Sequence, residues 1–205
     1  MKLFFFLFSI VMNLNLLADH PRVAIQRLID GNKRYVADRL EHPNRTSESR
    51  EAVVKAQNPF AVVLGCADSR VAPEIIFDQG IGDLFVVRVA GNVAGSLELE
   101  SIQFAVENLG SAVVLVLGHE NCGAVNAVVN HQTGDIQSIA ELIEPAVKVA
   151  TKESGNLLEN AIQANVENVV KQLKQTPFMS TLLQQNKVAV MGGVYHLATG
   201  KVDFL

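Results

Sequence analysis

Ala112-Val113-Val114-Leu115-Val116-Leu117-Gly118-His119 has no polar side chain before its last residue. A strand with water on one face alternates apolar and polar residues, whereas an unbroken run of this kind suits a strand covered on both faces, as in a parallel sheet between helix layers. Ala61-Val62-Val63-Leu64-Gly65-Cys66 reads the same way, and further strands are expected at about 84–89 and 187–194. Between them, Leu99, Ile102, Val106 and Leu109 recur at three and four residues and predict a helix over 97–109. Helical patterns also cover about 136–150 and 156–174, and Pro177 separates the latter from the last helix-like turn and strand. Strands alternating with helices of this size imply an α/β fold with right-handed parallel crossovers. Binding sites in such sheets form at the carboxyl ends of the strands.

Upstream, Val23, Ile25, Leu28, Ile29 and Tyr35 form a helical stripe over 21–37, with Asp19 or Asp30 as local caps. Residues 38–50 are polar and read as a loop leading into a short helix at 48–56. Residues 1–18 stand apart, with Lys2 followed by an apolar run from Leu3 to Val11. That is signal-peptide length and too short for a membrane span. Export, a start site at Met12 and a retained apolar arm all remain open. The expected organisation is a leader or apolar extension at 1–18 and one domain at 19–205. The location is periplasmic or secreted if the leader is real, and cytoplasmic otherwise.

A chain of 205 residues can bury a core without disulfides, which leaves its two cysteines free for chemistry. A net charge of -4 and 6% aromatic residues exclude a nucleic-acid surface. Both cysteines stand at strand ends: Cys66-Ala67-Asp68-Ser69-Arg70 after the first strand, and Gly118-His119-Glu120-Asn121-Cys122-Gly123 after the third. Two thiolates and an imidazole from Cys66, His119 and Cys122 form a soft donor set that suits tetrahedral zinc. Asp68, two residues after Cys66, points the same way in an extended segment and is a possible fourth ligand. Arg70 can take that carboxylate bidentately and hold it off the metal, leaving a position for water.

Each motif also has a plainer reading. Buried cysteines are often core residues, Asp-Ser-Arg can be a surface turn, and a closed structural zinc competes with a catalytic one. Their arrival at two strand ends that the fold should juxtapose favours a shared metal site. His20, His42, His131 and His196 have no comparable neighbours in the sequence, and Glu120 reads as a loop carboxylate or a support for His119.

These motifs resemble the beta-class carbonic anhydrases. The resemblance covers Asp30-Gly-Asn-Lys-Arg-Tyr35, Cys66-Ala-Asp-Ser-Arg-Val71, Phe85-Val-Val-Arg88 with Ala90 and Asn92, and Gly118-His-Glu-Asn-Cys-Gly123, across most of 20–205. It implies one zinc per subunit on Cys66, His119 and Cys122, with Asp68 and Arg70 as the catalytic pair. It also implies a substrate pocket from Gln57, Phe85, Val89 and Phe104, the last where tyrosine is usual. The implied reaction is reversible hydration of carbon dioxide to bicarbonate by zinc-bound hydroxide. A non-catalytic zinc-stabilised protein, or a hydrolase of carbon disulfide or carbonyl sulfide, is the alternative on the same fold. Gln57, with Val63 in place of a subgroup tryptophan, looks plant-like. The implied architecture is a mostly parallel sheet with an antiparallel edge strand and an N-terminal helical arm that embraces a neighbouring subunit in a dimer or tetramer. Neither nucleic acid nor a stable membrane span is expected.

Overall fold

A computed structural model describes residues 21–205, so the expected leader or apolar extension at 1–18, Asp19 as a cap and His20 lie outside the described residues. Five strands, β1 (Ala61–Gly65), β2 (Leu84–Arg88), β3 (Val113–His119), β4 (Ala189–Tyr195) and β5 (Val202–Phe204), form one sheet in the order β2-β1-β3-β4-β5. The first four are parallel, and β5 runs antiparallel to β4 at the edge. Every residue of β1 and β3 is buried, as their unbroken apolar runs require.

Strand pleat divides the core into two layers. Val62, Leu64, Val114, Val116 and Val190 pack on one face against Ile102, Ala105, Val166, Val169 and Leu173. These partners come from α4 (Ser96–Asn108) and α7 (Leu157–Gln175). Ala61, Val63, Val113, Leu115 and Leu117 face the other way, against Ala24 and Leu28 of α1 (residues 21–36) and Ile76 of the short α3 (Pro73–Ile76). Burying side chains such as Leu28, Leu64 and Leu115 contributes roughly 1.5–3 kcal/mol each.

The expected elements form close to their expected limits. α2 is shorter than expected, Ser47–Ala52, and Thr46 caps it by accepting a hydrogen bond from the Ser49 amide. Two short elements escape the periodicity analysis because they are too brief to show a period: α3 and α5 (Gly123–Val129). α6 (Gln137–Ala150) and α8 (Pro177–Gln184) complete the helices among the described residues, and none of those described is long and apolar enough to cross a membrane.

The α1 stripe packs partly within its own chain. Leu28 is fully buried in its own chain, and the Asn32 amide donates to the carbonyls of Ile76 and Gly200 while its oxygen accepts from the Val202 amide. Helix and backbone touch closely there, since a Cβ on Gly31 would stand 1.8 Å from the Phe77 carbonyl oxygen. Val23 and Val36 remain exposed on the outer side.

Candidate metal centre

Parallel register brings the two motifs together. Gly65 pairs with Leu117, so Cys66 leaves β1 level with Gly118, and His119 ends β3 one residue further on. Cys122 is the N-cap residue of α5, and its chain reversal passes through Asn121 at φ 52°. Cys66, His119 and Cys122 are all buried, with their ligand atoms within 4.8 Å of one another. The two sulfurs are 4.0 Å apart, close to the separation of two ligands on one ion.

His119 tests whether this group fits a metal. Its Nδ1 lies 2.8 Å from the Glu120 carbonyl oxygen, which can only accept, so Nδ1 carries the proton and Nε2 the lone pair. Nε2 is fully buried and has no hydrogen-bond partner among the described residues. Leaving a buried acceptor unpaired costs about 1–3 kcal/mol, and a metal at the junction of the three ligand atoms removes that cost. The donor chemistry fits zinc.

Cys66 is prepared as a thiolate. Its hydrogen bond with Cys122 pulls its pKa well below the usual thiol range, against the opposing effect of burial. The amides of Asp68 and Gly91 add to this by donating to Sγ at 3.4 and 3.3 Å. Cys122 is pushed up by the neighbouring thiolate and by burial, so without metal the pair keeps one proton.

Asp68 and Arg70 form the bidentate pair anticipated from their spacing. The Arg70 amide and Nε each donate to Oδ1 at 2.9 Å, and Nη2 donates to Oδ2 at 2.7 Å. The Arg70 guanidinium therefore holds the carboxyl well below the ordinary carboxylate range. Oδ2 lies 3.9 Å from His119 Nε2, beside the ligand group rather than within it.

The proposed pocket residues are more dispersed. Val89 packs against the cluster that contains Cys66 and Cys122. Phe85 packs against the α4-side core, opposite Val62 and three residues before the Gly65–Arg88 end of that strand pair. Gln57 and Phe104 are exposed.

Several supporting residues went unseen in the sequence. Arg88 donates to the carbonyls of Cys66 and Asp68, clamping the loop between them. Gly91 has φ 75°, and a Cβ there would stand 2.7 Å from Ile143 Cδ1, so glycine is needed for its amide to reach Cys66. Asn165 of α7 donates to the Gly91 carbonyl at 2.8 Å and holds that turn. His196 requires a correction: it lies between Glu120 and Asp203 at 2.7 and 2.8 Å, partners that only the packing of three strand ends supplies. His42 and His131 are exposed, as expected of unpartnered loop residues.

The carbonic anhydrase family model matches residues 61–202. A carbonic anhydrase of Mycolicibacterium smegmatis is 39% identical over 191 residues, covering 90% of this chain and 93% of its own. Among solved structures, the beta-carbonic anhydrase CcaA superposes with TM-score 0.71 at 25% identity, over 88% of this chain and 91% of its own. A Coccomyxa beta-carbonic anhydrase in complex with acetazolamide gives 0.69 at 30% identity, over 76% and 75%. The chain belongs to the beta-class carbonic anhydrases. The five-stranded sheet with its antiparallel edge strand is therefore the family architecture, and Cys66, His119 and Cys122 form a buried Cys/His/Cys group that could hold a metal ion.

Proposed function

We propose that this enzyme hydrates carbon dioxide reversibly at a zinc held by Cys66, His119 and Cys122, with Asp68 and Arg70 orienting the reacting water. The observation that carries this reading is the unpaired, buried Nε2 of His119 beside a carboxylate already engaged by an arginine. Bound zinc supplies Lewis acidity, which brings the pKa of a water ligand down to about 7. Asp68 stays ionised because Arg70 holds both its oxygens, so it would accept a hydrogen bond from a water at the metal position and orient that water toward the substrate carbon. Arg70 also keeps Asp68 from serving as a fourth ligand, which supports a centre open to water. Val89 offers an apolar wall at the site, while Gln57, Phe85 and Phe104 complete a pocket only if a second subunit closes over them. The released proton passes to buffer.

A second subunit has a physical motive. Among the described residues, β2 ends the sheet with an unpaired edge of Leu84-Phe85-Val86-Val87-Arg88, and Leu97 and Phe104 of the neighbouring α4 are exposed. Apolar edge strands left open invite pairing with another chain. Self-association that covers this edge also suits Gln57, which lies in the loop entering β1. Gln57 and Val63 support the plant-like assignment. The apolar run at residues 3–11 supports export, and the N-terminus of the mature protein identifies the cleavage site if there is one.

Stopped-flow carbon dioxide hydration on zinc-loaded protein, with metal content measured, tests the reaction. Asp68→Asn and Arg70→Ala should each lower turnover by about 10²-fold or more while zinc stays at one per chain. Zinc at full occupancy with no turnover in the native chain would sink the catalytic reading.

A further inference from the structure

The strongest arrangement outside the metal ligands and the Asp68–Arg70 pair is a line of polar contacts from the sheet's far edge to His119. The imidazole proton on Nδ1 is held by the Glu120 carbonyl, whose direction depends on the backbone angles of Glu120 itself. Three contacts fix those angles. The Glu120 amide donates to the Tyr195 carbonyl at 3.0 Å, Oε1 accepts from His196 Nδ1 at 2.7 Å, and Oε2 accepts from the Leu197 amide at 3.0 Å. His196 is fixed in turn, because Nε2 faces Asp203 Oδ2 at 2.8 Å and its own amide donates to the Lys201 carbonyl at 2.8 Å. The array therefore ties together the ends of β3, β4 and β5.

We infer that His196 is a positioning residue for the metal ligand His119, acting through Glu120. Both ring nitrogens of His196 face carboxylates, so the ring bridges Glu120 to Asp203 and prevents the Glu120 side chain from turning away. With Glu120 held, its carbonyl stays on His119 Nδ1, and the tautomer with Nε2 free for metal persists before any metal arrives. Without that hold, the 119–122 turn can rotate the carbonyl away, and His119 then exchanges between tautomers, one of which carries a proton on the ligand atom. The inference rests on the zinc reading for its consequence, but the tautomer can be observed without metal.

The His196 and Asp203 side chains are 30% and 48% exposed, so changing them leaves the core intact. In metal-free native protein, long-range nitrogen–proton NMR of the imidazoles should show His119 protonated at Nδ1. His196→Gln should give a mixture of tautomers and release zinc to a competing chelator about tenfold faster, the lower end of what losing such support costs. Asp203→Asn should move both readouts in the same direction by less. Glu120→Gln, whose single side-chain oxygen can keep one of the two accepted bonds, should retain part of the zinc affinity that Glu120→Ala loses. A lowered unfolding midpoint in His196→Gln, with native tautomer and native zinc release, would make the array merely structural and overturn the inference. If His196→Gln fails to fold, native behaviour in Asp203→Asn on both readouts overturns it equally. Native protein that takes up no zinc would refute the metal reading, and the tautomer comparison would still decide the role of His196.

Discussion

At the scale of single residues, the site depends on groups whose neighbours decide their state. Gly91 is the clearest case: only glycine combines φ 75° with space beside Ile143, and only that turn aims its amide at Cys66. Gly91→Ala should destabilise the protein by about 1–3 kcal/mol and weaken zinc binding together, read by denaturant unfolding and chelator competition. Unchanged zinc affinity would mean that the amide contact is incidental. Asp78 behaves as a structural counterpart. Burial alone would raise its pKa, but the amides of Glu41 and His42 and the Arg34 guanidinium outweigh burial and hold it below the ordinary carboxylate range. A depressed folded value means stability that is fully present above the unfolded pKa of about 3.9 and is lost as pH falls through the folded pKa. Asp78→Asn should therefore cost roughly 2–4 kcal/mol at neutral pH. Its deficit against the native chain should shrink on acidification in a pH series of urea unfolding, and a deficit independent of pH would contradict the assignment.

Among the elements, β3 and α7 matter most, because α7 lies directly on β3, the strand that ends in His119. A Cβ on Gly118 would stand 2.6 Å from Val166 Cγ2, and one on Gly192 would stand 2.6 Å from Val166 Cγ1. The helix can approach this closely because two adjacent strands present no side chain beneath Val166. Gly118→Ala should destabilise by about 1–3 kcal/mol and loosen zinc binding by shifting His119, the next residue. Val166→Ala leaves a cavity when made alone but makes room when combined with Gly118→Ala. The pair should thus couple favourably by about 0.5–3 kcal/mol in a double-mutant cycle. Additive effects would show that helix and strand separate without strain. α3 and α5 leave no trace in the sequence, because a helix of four or seven residues shows no hydrophobic period and tertiary contacts hold it.

For the whole molecule, the open question is what covers the β2 edge and the exposed Leu97 and Phe104. Sedimentation equilibrium at micromolar concentration should give a mass of at least two chains, and a monomer across the full range would remove the subunit proposed to complete the pocket. α1 commits Leu28 and Asn32 to its own chain. Its exposed Val23 and Val36 are what remains for a neighbour.

The meeting of Cys66, His119 and Cys122, the strand ends that carry them and the Asp68–Arg70 pair were legible in the sequence itself. Apolar runs reveal doubly covered strands, and residues two or three apart at a strand end can meet only near that end. Tertiary structure alone decided how the ligands are supported. Gly91 and Asn165 are separated by 74 residues, Glu120 and His196 by 76, and no local pattern marks such pairs. They meet because β1, β3 and β4 lie side by side in a register that aligns their carboxyl ends. Packing thus made His196, an unremarkable histidine in the sequence, part of the polar line to the metal ligand.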